Sequence, residues 1–188
     1  MDQDSEIQWV EAAKQGCVES LGVLYERYHG TMKAIAYAML GQRDLAEDVA
    51  QEVFVVACQD LAKLKRTDRF GPWLAGICRN LARRLLRSQG RMTCVSMAFD
   101  VQATETCDSH QLDILREAVD ALKPGERELI VLRYHDNLPY ERIGSVLNIS
   151  TRAVNSRLIR TKQKLAKYVK QNGVKGNNHD TARQKRMA

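Results

Sequence analysis

The sequence predicts an all-α protein of two small helical domains joined by a flexible linker, the second domain being a helix-turn-helix. Apolar residues recur at i, i+3 and i+4 over long stretches, whereas the period-two alternation of a half-buried strand is nowhere sustained. The chain contains only 3 prolines and 6% aromatic residues. Its 188 residues are enough for two small helical units.

Breaks in the apolar periodicity divide the chain into four segments. The helical pattern runs from about Ile7 to Ser88, lapses over Gln89 to His110 and resumes from Gln111 to about Val169, so we expect domains at residues 5–90 and 111–170. The stretch from Gln89 to His110 mixes Thr, Ser, Asp and Gly without periodicity, which indicates a linker at residues 91–110. Residues 171–188 are polar and rich in Gly and Asn, so we expect a disordered basic tail.

The formal net charge of +6 is concentrated in two basic blocks. Residues 66–91 carry seven basic and one acidic side chain, and residues 150–188 carry eleven and one, whereas the rest of the chain is acidic. Clustered Lys and Arg side chains neutralise the phosphates of a polyanion. Nucleic acid is the favoured partner, and an anionic membrane is the competing one because a basic amphipathic helix can lie on lipid.

Several classes of protein are disfavoured by what the sequence lacks. The N-terminus is acidic and no run approaches the roughly 18 apolar residues of a membrane span, so we expect a cytoplasmic protein without membrane insertion. Five cysteines without a CxxC pair argue against a disulfide framework or a zinc ribbon. We expect no catalytic residues, no cofactor and no metal site, since no nucleophile-base pair or phosphate-binding loop stands out. A thiol or zinc sensor built from Cys94, Cys107 and His110 remains an alternative.

The first candidate surface is an acidic helix face between Asp44 and Leu61. Apolar residues at helical spacing bury one side of this helix, and no basic residue lies between Asp44 and Asp60. This pattern favours a docking surface for a basic or mixed partner over an ordinary solvated face. The candidate residues are Asp48, Gln51, Glu52 and, at the edge, Val55.

The second candidate surface is a basic helix and the loop before it. Gly71 and Pro72 predict the helix start, and Gly90 predicts its end. Arginines follow one side of the helix, where their repulsion indicates that an external anion supplies the missing charge. The loop combines cations with an aromatic residue, which suits an unstacked single-stranded base, while Trp73 is assigned to the core. The candidates are Lys63, Lys65, Arg66, Arg69 and Phe70 in the loop, and Arg79, Asn80, Arg83, Arg84 and Arg87 on the helix.

The third candidate surface belongs to the helix-turn-helix. A short helix from Leu138 to Leu147, a break at residues 148–150 and a longer helix from Thr151 to about Val169 predict this motif, with Ser150 or Thr151 as the cap. The two helices are expected to pack through Ile143, Leu147, Ile149, Val154 and Leu158. The N-terminal half of the second helix is then free to enter a DNA major groove. Its candidate contacts are Arg152, Asn155, Ser156, Arg157, Ile159 and Arg160.

These stretches, in this order, resemble the extracytoplasmic-function sigma factors, small bacterial initiation factors of RNA polymerase with two helical domains. The resemblance covers roughly residues 5–170. It is carried by "WVEAAKQGCVESLGVLYERYHG", "AEDVAQEVFVVA", "RFGPWLAGICRNLARR" and "ALKPGERELIVLRYHDNLPYERIGSVLNISTRAVNSRLIRTKQKL". It implies that residues 5–90 are region 2 and residues 111–170 are region 4.

The resemblance also implies partners and roles. The helix with Asp48, Gln51 and Glu52 would dock on the clamp helices of the largest subunit of core RNA polymerase. The loop from Lys63 to Phe70 and the helix bearing Asn80 would open and recognise the -10 element of promoter DNA. The helix-turn-helix face would recognise the -35 element, and the linker would thread toward the RNA exit path. An anti-sigma factor is the expected inhibitory partner.

The sequence departs from the family pattern in two places. Gly76 stands where many members have an arginine, and Ala153 and Asn155 replace a hydroxyl and a positive charge on the recognition helix. These departures bear on which bases are recognised. A helix-turn-helix transcriptional regulator with an N-terminal helical effector domain is the alternative, although it leaves the second basic surface without a use.

Overall fold

The computed structural model describes residues 3–90 and 109–184, with side chains described for residues 4–90 and 110–172. Within these ranges the chain consists of helices and the turns between them, and no strand is present. The predicted all-α fold class is therefore confirmed. The predicted linker at residues 91–110 and its two cysteines lie almost entirely outside the described residues.

The first unit contains four helices, α1 (Gln3–Lys14), α2 (Val18–Leu40), α3 (Arg43–Asp60) and α4 (Phe70–Ser88). Two 3₁₀ turns, Leu61–Lys63 and Thr67–Arg69, connect α3 to α4. The second unit contains α5 (Ser109–Asp120), α6 (Pro124–Ile130), a π-helical turn (Val131–His135), α7 (Tyr140–Leu147) and α8 (Thr151–Gln184).

The central helix of the first unit is α2, which packs against α1, α3 and α4. The apolar stripes predicted on α3 and α4 are buried against it, because only a tight helix bundle removes these faces from water. Trp73 is partly buried and packs on this core. The buried stripe residues are Ala46, Val49, Ala50, Val53, Phe54 and Ala57 on α3, and Leu74, Cys78 and Ala82 on α4.

The ends of α4 follow from its proline and glycine. The helix begins at Phe70, so that Pro72 lies in the first turn, where its missing N–H leaves no hydrogen bond unmade. The helix ends at Ser88, and Gly90 adopts a φ of 65°, which confirms the predicted stop.

The helix-turn-helix forms as the sequence predicts. Ile143, Val154 and Leu158 are at most 1% exposed between α7 and α8. The Ser150 hydroxyl accepts a hydrogen bond from the Ala153 amide at 3.2 Å, which confirms Ser150 as the cap of α8. The second helix of this motif, α8, differs from the prediction at its C-terminal end.

Helix α8 continues to Gln184, whereas the sequence predicts disorder from residue 171 onward. The backbone of α8 can continue because no proline interrupts its hydrogen bonds after Pro139. The polar composition of this segment indicated disorder because it offers no apolar stripe to bury, but it does not by itself prevent a helix.

The two units pack directly against each other, which the sequence did not predict. The π-helical turn and α6 contact α2, and α7 contacts α4. Val131 and Leu132 are fully buried in an apolar cluster that is continuous with the core of the first unit. None of the helices described is both long and apolar enough to cross a membrane.

We predict that Gly144→Ala destabilises the helix-turn-helix. A Cβ at this position would lie 2.7 Å from the carbonyl oxygen of Ile149, which is backbone and cannot move without reshaping the turn. The expected loss is about 1 to 3 kcal/mol of unfolding free energy, measured by denaturant titration. Gly125→Ala is the matched control, because a Cβ there meets nothing within 4 Å. Equal stability of the two variants would contradict the tight turn.

We predict that Cys78 resists thiol reagents while Cys58 reacts. Cys78 is fully buried and its thiol lies 3.3 Å from the Met32 carbonyl oxygen, and burial raises the pKa of this thiol to about 12. Cys58 is exposed on α3. Because the thiolate is the reactive form, peptide mapping after native alkylation should find Cys58 modified and Cys78 modified only after unfolding. Similar modification rates at both sites would show that the α4 core opens readily.

Candidate functional site

The acidic face of α3 is exposed and largely free of internal partners. Asp48, Gln51 and Glu52 face solvent, and Val55 is 51% exposed at their edge. Within the described parts of the chain, neither Asp48 nor Glu52 forms an ion pair. A helix face with unpaired carboxylates beside an exposed valine has the mixed character of a protein docking surface.

A neighbouring carboxylate on α3 behaves differently. Glu47 pairs with Lys33 at 2.7 Å and lies 3.1 Å from His29 Nε2, and the hydrogen bond from Lys33 lowers the pKa of Glu47. This flank of α3 is therefore neutralised by α2. The ring of Tyr25 lies 4.7 Å from the rings of both His29 and Phe54, which adds an aromatic border that the sequence did not predict.

The arginine row of α4 is only partly free. Asn80, Arg83, Arg84 and Arg87 are exposed, and Arg83 donates to Asn80 Oδ1 at 3.2 Å. Arg79 is instead half-buried and makes two hydrogen bonds to Glu128 of the second unit, at 2.6 Å and 3.2 Å. The expectation of an uncompensated row is therefore wrong for Arg79. Its acidic partner is 49 residues away, where helical periodicity carries no information.

The loop before α4 forms one wall of an open groove. Its cations are partly compensated, since Arg66 makes two hydrogen bonds to Asp68 and Lys63 pairs with Asp60. The hydrogen bond from Arg66 lowers the pKa of Asp68, which keeps this carboxylate charged. The groove is lined by Lys63, Leu64, Lys65, Arg66, Arg69, Pro72, Trp73 and Asn148.

Phe70 is not available in this groove, which corrects its assignment as a base-contacting aromatic. It is 1% exposed, and its ring packs edge-on against Tyr28 at 5.3 Å. Trp73 packs on the core, as the sequence predicted, and its partly exposed side chain also lines the groove, with its ring centroid 5.8 Å from that of Phe70. Phe70 is buried because, at the start of α4, it faces α2. The sequence feature that could have indicated a groove position for Trp73 is its place in the first turn of α4, next to the basic loop.

The free face of α8 carries the predicted cationic and polar residues. Arg152, Asn155, Arg157 and Arg160 are exposed, and Ile159 is 49% exposed. Ser156 is half-buried and its hydroxyl donates to the Arg152 carbonyl oxygen at 2.9 Å. Arg160 Nε lies 3.3 Å from the Ser156 carbonyl oxygen, so its guanidinium follows the helix surface toward the N-terminus of α8. A helix presenting such a face fits a DNA major groove.

No metal site is visible in the described parts of the chain, where no three His, Cys, Asp or Glu side chains cluster. His110 is exposed near the start of α5. Its suggested partners Cys94 and Cys107 lie outside the described residues, so the sensor hypothesis stays untested.

Two family models match the chain in order. The model of Sigma-70 region 2 matches residues 24–92, and the model of Sigma-70, region 4 matches residues 112–165. The region 2 match covers most of α2 together with α3 and α4. The region 4 match covers most of α5, all of α6 and the helix-turn-helix.

Known RNA polymerase sigma factors have sequences similar to that of this chain. The probable RNA polymerase sigma factor RfaY of Xanthomonas campestris pv. campestris is 33% identical over 161 residues, covering 80% of this chain and 40% of RfaY. The ECF RNA polymerase sigma factor SigE of Mycolicibacterium smegmatis is 27% identical, covering 82% of this chain and 63% of SigE. The chain thus spans less than two thirds of the length of either relative.

A solved structure supports the fold. Sigma factor RpoE, in complex with the anti-sigma factor NepR from Bartonella quintana, has a TM-score of 0.52 and 20% identity, covering 79% of this chain and 96% of that one. With both family models matched in order and these relatives aligned along the chain, the protein belongs to the extracytoplasmic-function group of the sigma-70 family.

Proposed function

We propose that the chain is a sigma factor that binds core RNA polymerase and directs promoter-specific initiation. The observation that carries this proposal is the presence of three separate surfaces, one acidic and two basic, on one chain with regions 2 and 4. An acidic, unpaired face lies on α3, a basic groove precedes α4, and a second basic face lies on α8. Such a chain acts by binding rather than by catalysis, in the cytoplasm, where polymerase and promoter DNA are found.

The α3 face suits a polymerase surface of opposite charge. Asp48 and Glu52 are exposed and have no internal ion pair in the described chain, so they can pair with cations of a partner without first breaking a bond. Gln51 can form hydrogen bonds with a partner, and the exposed Val55 side chain supplies apolar surface that a partner can bury. This combination supports docking on the clamp helices of the largest subunit.

The groove before α4 suits a melted -10 element. Lys65 and Arg66 can follow the phosphates, and Trp73 offers an aromatic face for a base taken out of the stack. Asn80, Arg83, Arg84 and Arg87 extend this basic surface along the exposed side of α4. Phe70 supports the groove from the core and does not contact DNA in this arrangement.

The α8 face suits the duplex -35 element. Arg side chains bond guanine bidentately and Asn bonds adenine, so Arg152, Asn155 and Arg160 are the residues we assign to base contacts. We assign Arg157 to a phosphate contact and Ile159 to a thymine methyl group. Because Asn155 stands where the family usually has a cation, we expect a base preference that differs from that of typical members.

The alternative, a helix-turn-helix regulator, accounts only for α8. Duplex binding alone needs neither the groove with Trp73 nor the acidic face of α3. The relation to the RpoE complex also supports a regulatory partner, and we propose that an anti-sigma factor of similar chemistry binds this chain.

In vitro transcription tests the proposal. Purified core polymerase, the full chain and a library of genomic fragments should give discrete promoter-specific transcripts that core polymerase alone does not produce. If the chain retarded fragments in gel shifts but yielded no specific transcript with core polymerase, the regulator alternative would be favoured.

We predict that Asp48→Arg weakens binding to core polymerase by about ten- to a hundredfold, because it places a cation where the proposed partner supplies one. Fluorescence titration of labelled chain with core polymerase measures the effect. Glu117→Arg on α5 is the matched control, since Glu117 is also exposed and its reversal changes the net charge equally. Equal losses for both variants would mean that only net charge matters and that α3 is not the docking helix.

We predict that Arg160→Ala costs about 1 to 3 kcal/mol of -35 binding and relaxes the base preference at one position. The measurement is a binding competition among duplexes with every single substitution in the -35 element. Lys167→Ala, farther along α8 and also exposed, should weaken all duplexes uniformly by a smaller factor. A uniform loss for Arg160→Ala would reassign this residue to a phosphate.

A further inference from the structure

Helix α8 extends well beyond the part of the chain that the region 4 model matches. The match ends at residue 165, whereas α8 runs as a single helix to Gln184. Residues 166–188 carry six basic side chains and one acidic side chain, that of Asp180. None of the residues that we assign to base contacts lies in this segment, so its charge is not explained by recognition of the -35 bases.

A basic stripe on α8 continues the face that we assign to DNA. Arg160, Lys164 and Lys167 are spaced four and three residues apart, which places them on one face of the helix. Lys175 follows Arg160 by about four helical turns, so its position falls on the same face. At about 1.5 Å per residue, the stripe from Arg160 to Lys175 is about 22 Å long, which is the axial length of about six base pairs.

The cations of this stripe are only partly compensated within the chain. Lys164 pairs with Glu126 of α6. Lys167 is exposed and forms no ion pair with the side chains that the structure describes, and no carboxylate lies three or four residues from it or from Lys175 in the sequence. The helix dipole explains neither lysine, because it favours cations only in the last turn, near Gln184. These cations are therefore available to an external anion.

Duplex DNA fits the stripe better than a lipid surface does. A helix that lies on a membrane needs large apolar residues opposite its charged face. Residues 166–184 contain no Leu, Ile, Phe or Trp, and Tyr168 and Val169 are partly buried in the protein. The N-terminal half of α8 is the part proposed to enter the major groove. Where the helix leaves the groove, its basic face passes the phosphates at the rim.

We propose that α8 beyond residue 165 is a phosphate-binding arm, which contacts the backbone of duplex DNA beside the -35 element through Lys167 and Lys175. The arm adds affinity without adding base preference, since phosphates carry no direct sequence information. Its place beside the -35 element rests on the proposed function, whereas its affinity for duplex phosphates does not.

The salt dependence of binding to a duplex without promoter elements tests the arm. Each phosphate that a lysine neutralises contributes about -0.9 to the slope of log K against log salt concentration. The double variant Lys167→Gln, Lys175→Gln should therefore flatten the slope by about 1.8 and weaken binding at about 0.1 M salt by about ten- to a hundredfold. Fluorescence anisotropy with the full chain measures both quantities, and circular dichroism checks that the helical signal is kept. A slope equal to that of the wild type would overturn the arm.

The double variant Lys162→Gln, Arg183→Gln is the matched control. Both residues belong to α8 and their loss changes the net charge equally, but their positions fall on the opposite face from Lys167 and Lys175. The Lys162 ammonium lies 5.8 Å from the centroid of the Tyr134 ring. This control should keep the wild-type slope. Equal flattening in both double variants would show that only net charge matters, which would contradict a phosphate-binding face.

Anionic vesicles separate DNA from lipid as the partner. The full chain should bind phosphatidylserine vesicles no more tightly than the double variant Lys167→Gln, Lys175→Gln does, because the stripe has no apolar surface to insert. Vesicle binding that this variant loses, together with an unchanged slope on DNA, would assign the stripe to lipid and overturn the proposal.

Flanking DNA tests where the arm lies. Lengthening a -35 duplex by about ten base pairs on each side, more than the stripe can span, should raise the affinity of the wild type several-fold and that of the Lys167→Gln, Lys175→Gln variant less. The order of preference among -35 sequences should be the same for both. An equal gain for both proteins would contradict an arm beside the element.

The proposed function and the arm can fail separately. If no promoter-specific transcript forms while the slope flattens as expected, the proposed function fails and the phosphate-binding arm stands. Specific transcription combined with an unchanged slope has the opposite meaning.

Discussion

The carboxylate of Glu6 accepts hydrogen bonds from three side chains, and the arrangement of both units depends on it. Arg27 Nε donates at 2.9 Å, the Tyr28 hydroxyl at 2.5 Å and Arg142 at 3.3 Å. A charge that is 12% exposed requires such partners, because the hydration it loses must be replaced. Since the donors come from α2 and α7, one residue of α1 connects the bundle of the first unit to the helix-turn-helix.

The same carboxylate shapes the candidate -10 surface. Burial raises the pKa of Tyr28, so its hydroxyl stays protonated and available to donate to Glu6. With the Tyr28 ring fixed in this way, Phe70 packs edge-on against it and is removed from solvent. Trp73, one helical turn later, is left as the aromatic wall of the groove. The aromatic surface of this candidate groove therefore follows from an interaction near the N-terminus of the chain.

Local sequence patterns predicted the helices and the candidate surfaces. They could not predict contacts between segments that are distant in the sequence. The cap at Ser150, the stop at Gly90 and the buried stripe of α3 each depend on residues within a few positions of one another. The burial of Phe70 depends on Tyr28 in α2, which lies 42 residues earlier in the sequence. The pairing of Arg79 with Glu128 depends on how the units meet, which a charge count along one helix cannot show.

We propose that one chain recognises two separated promoter elements, melting one and leaving the other as a duplex. Footprinting of a complex of core polymerase, the chain and a responsive promoter tests this most directly, with permanganate added to detect unpaired thymines. We expect two protected segments centred about 25 base pairs apart, with permanganate reactivity only in the downstream segment. A single protected segment without reactive thymines would contradict it.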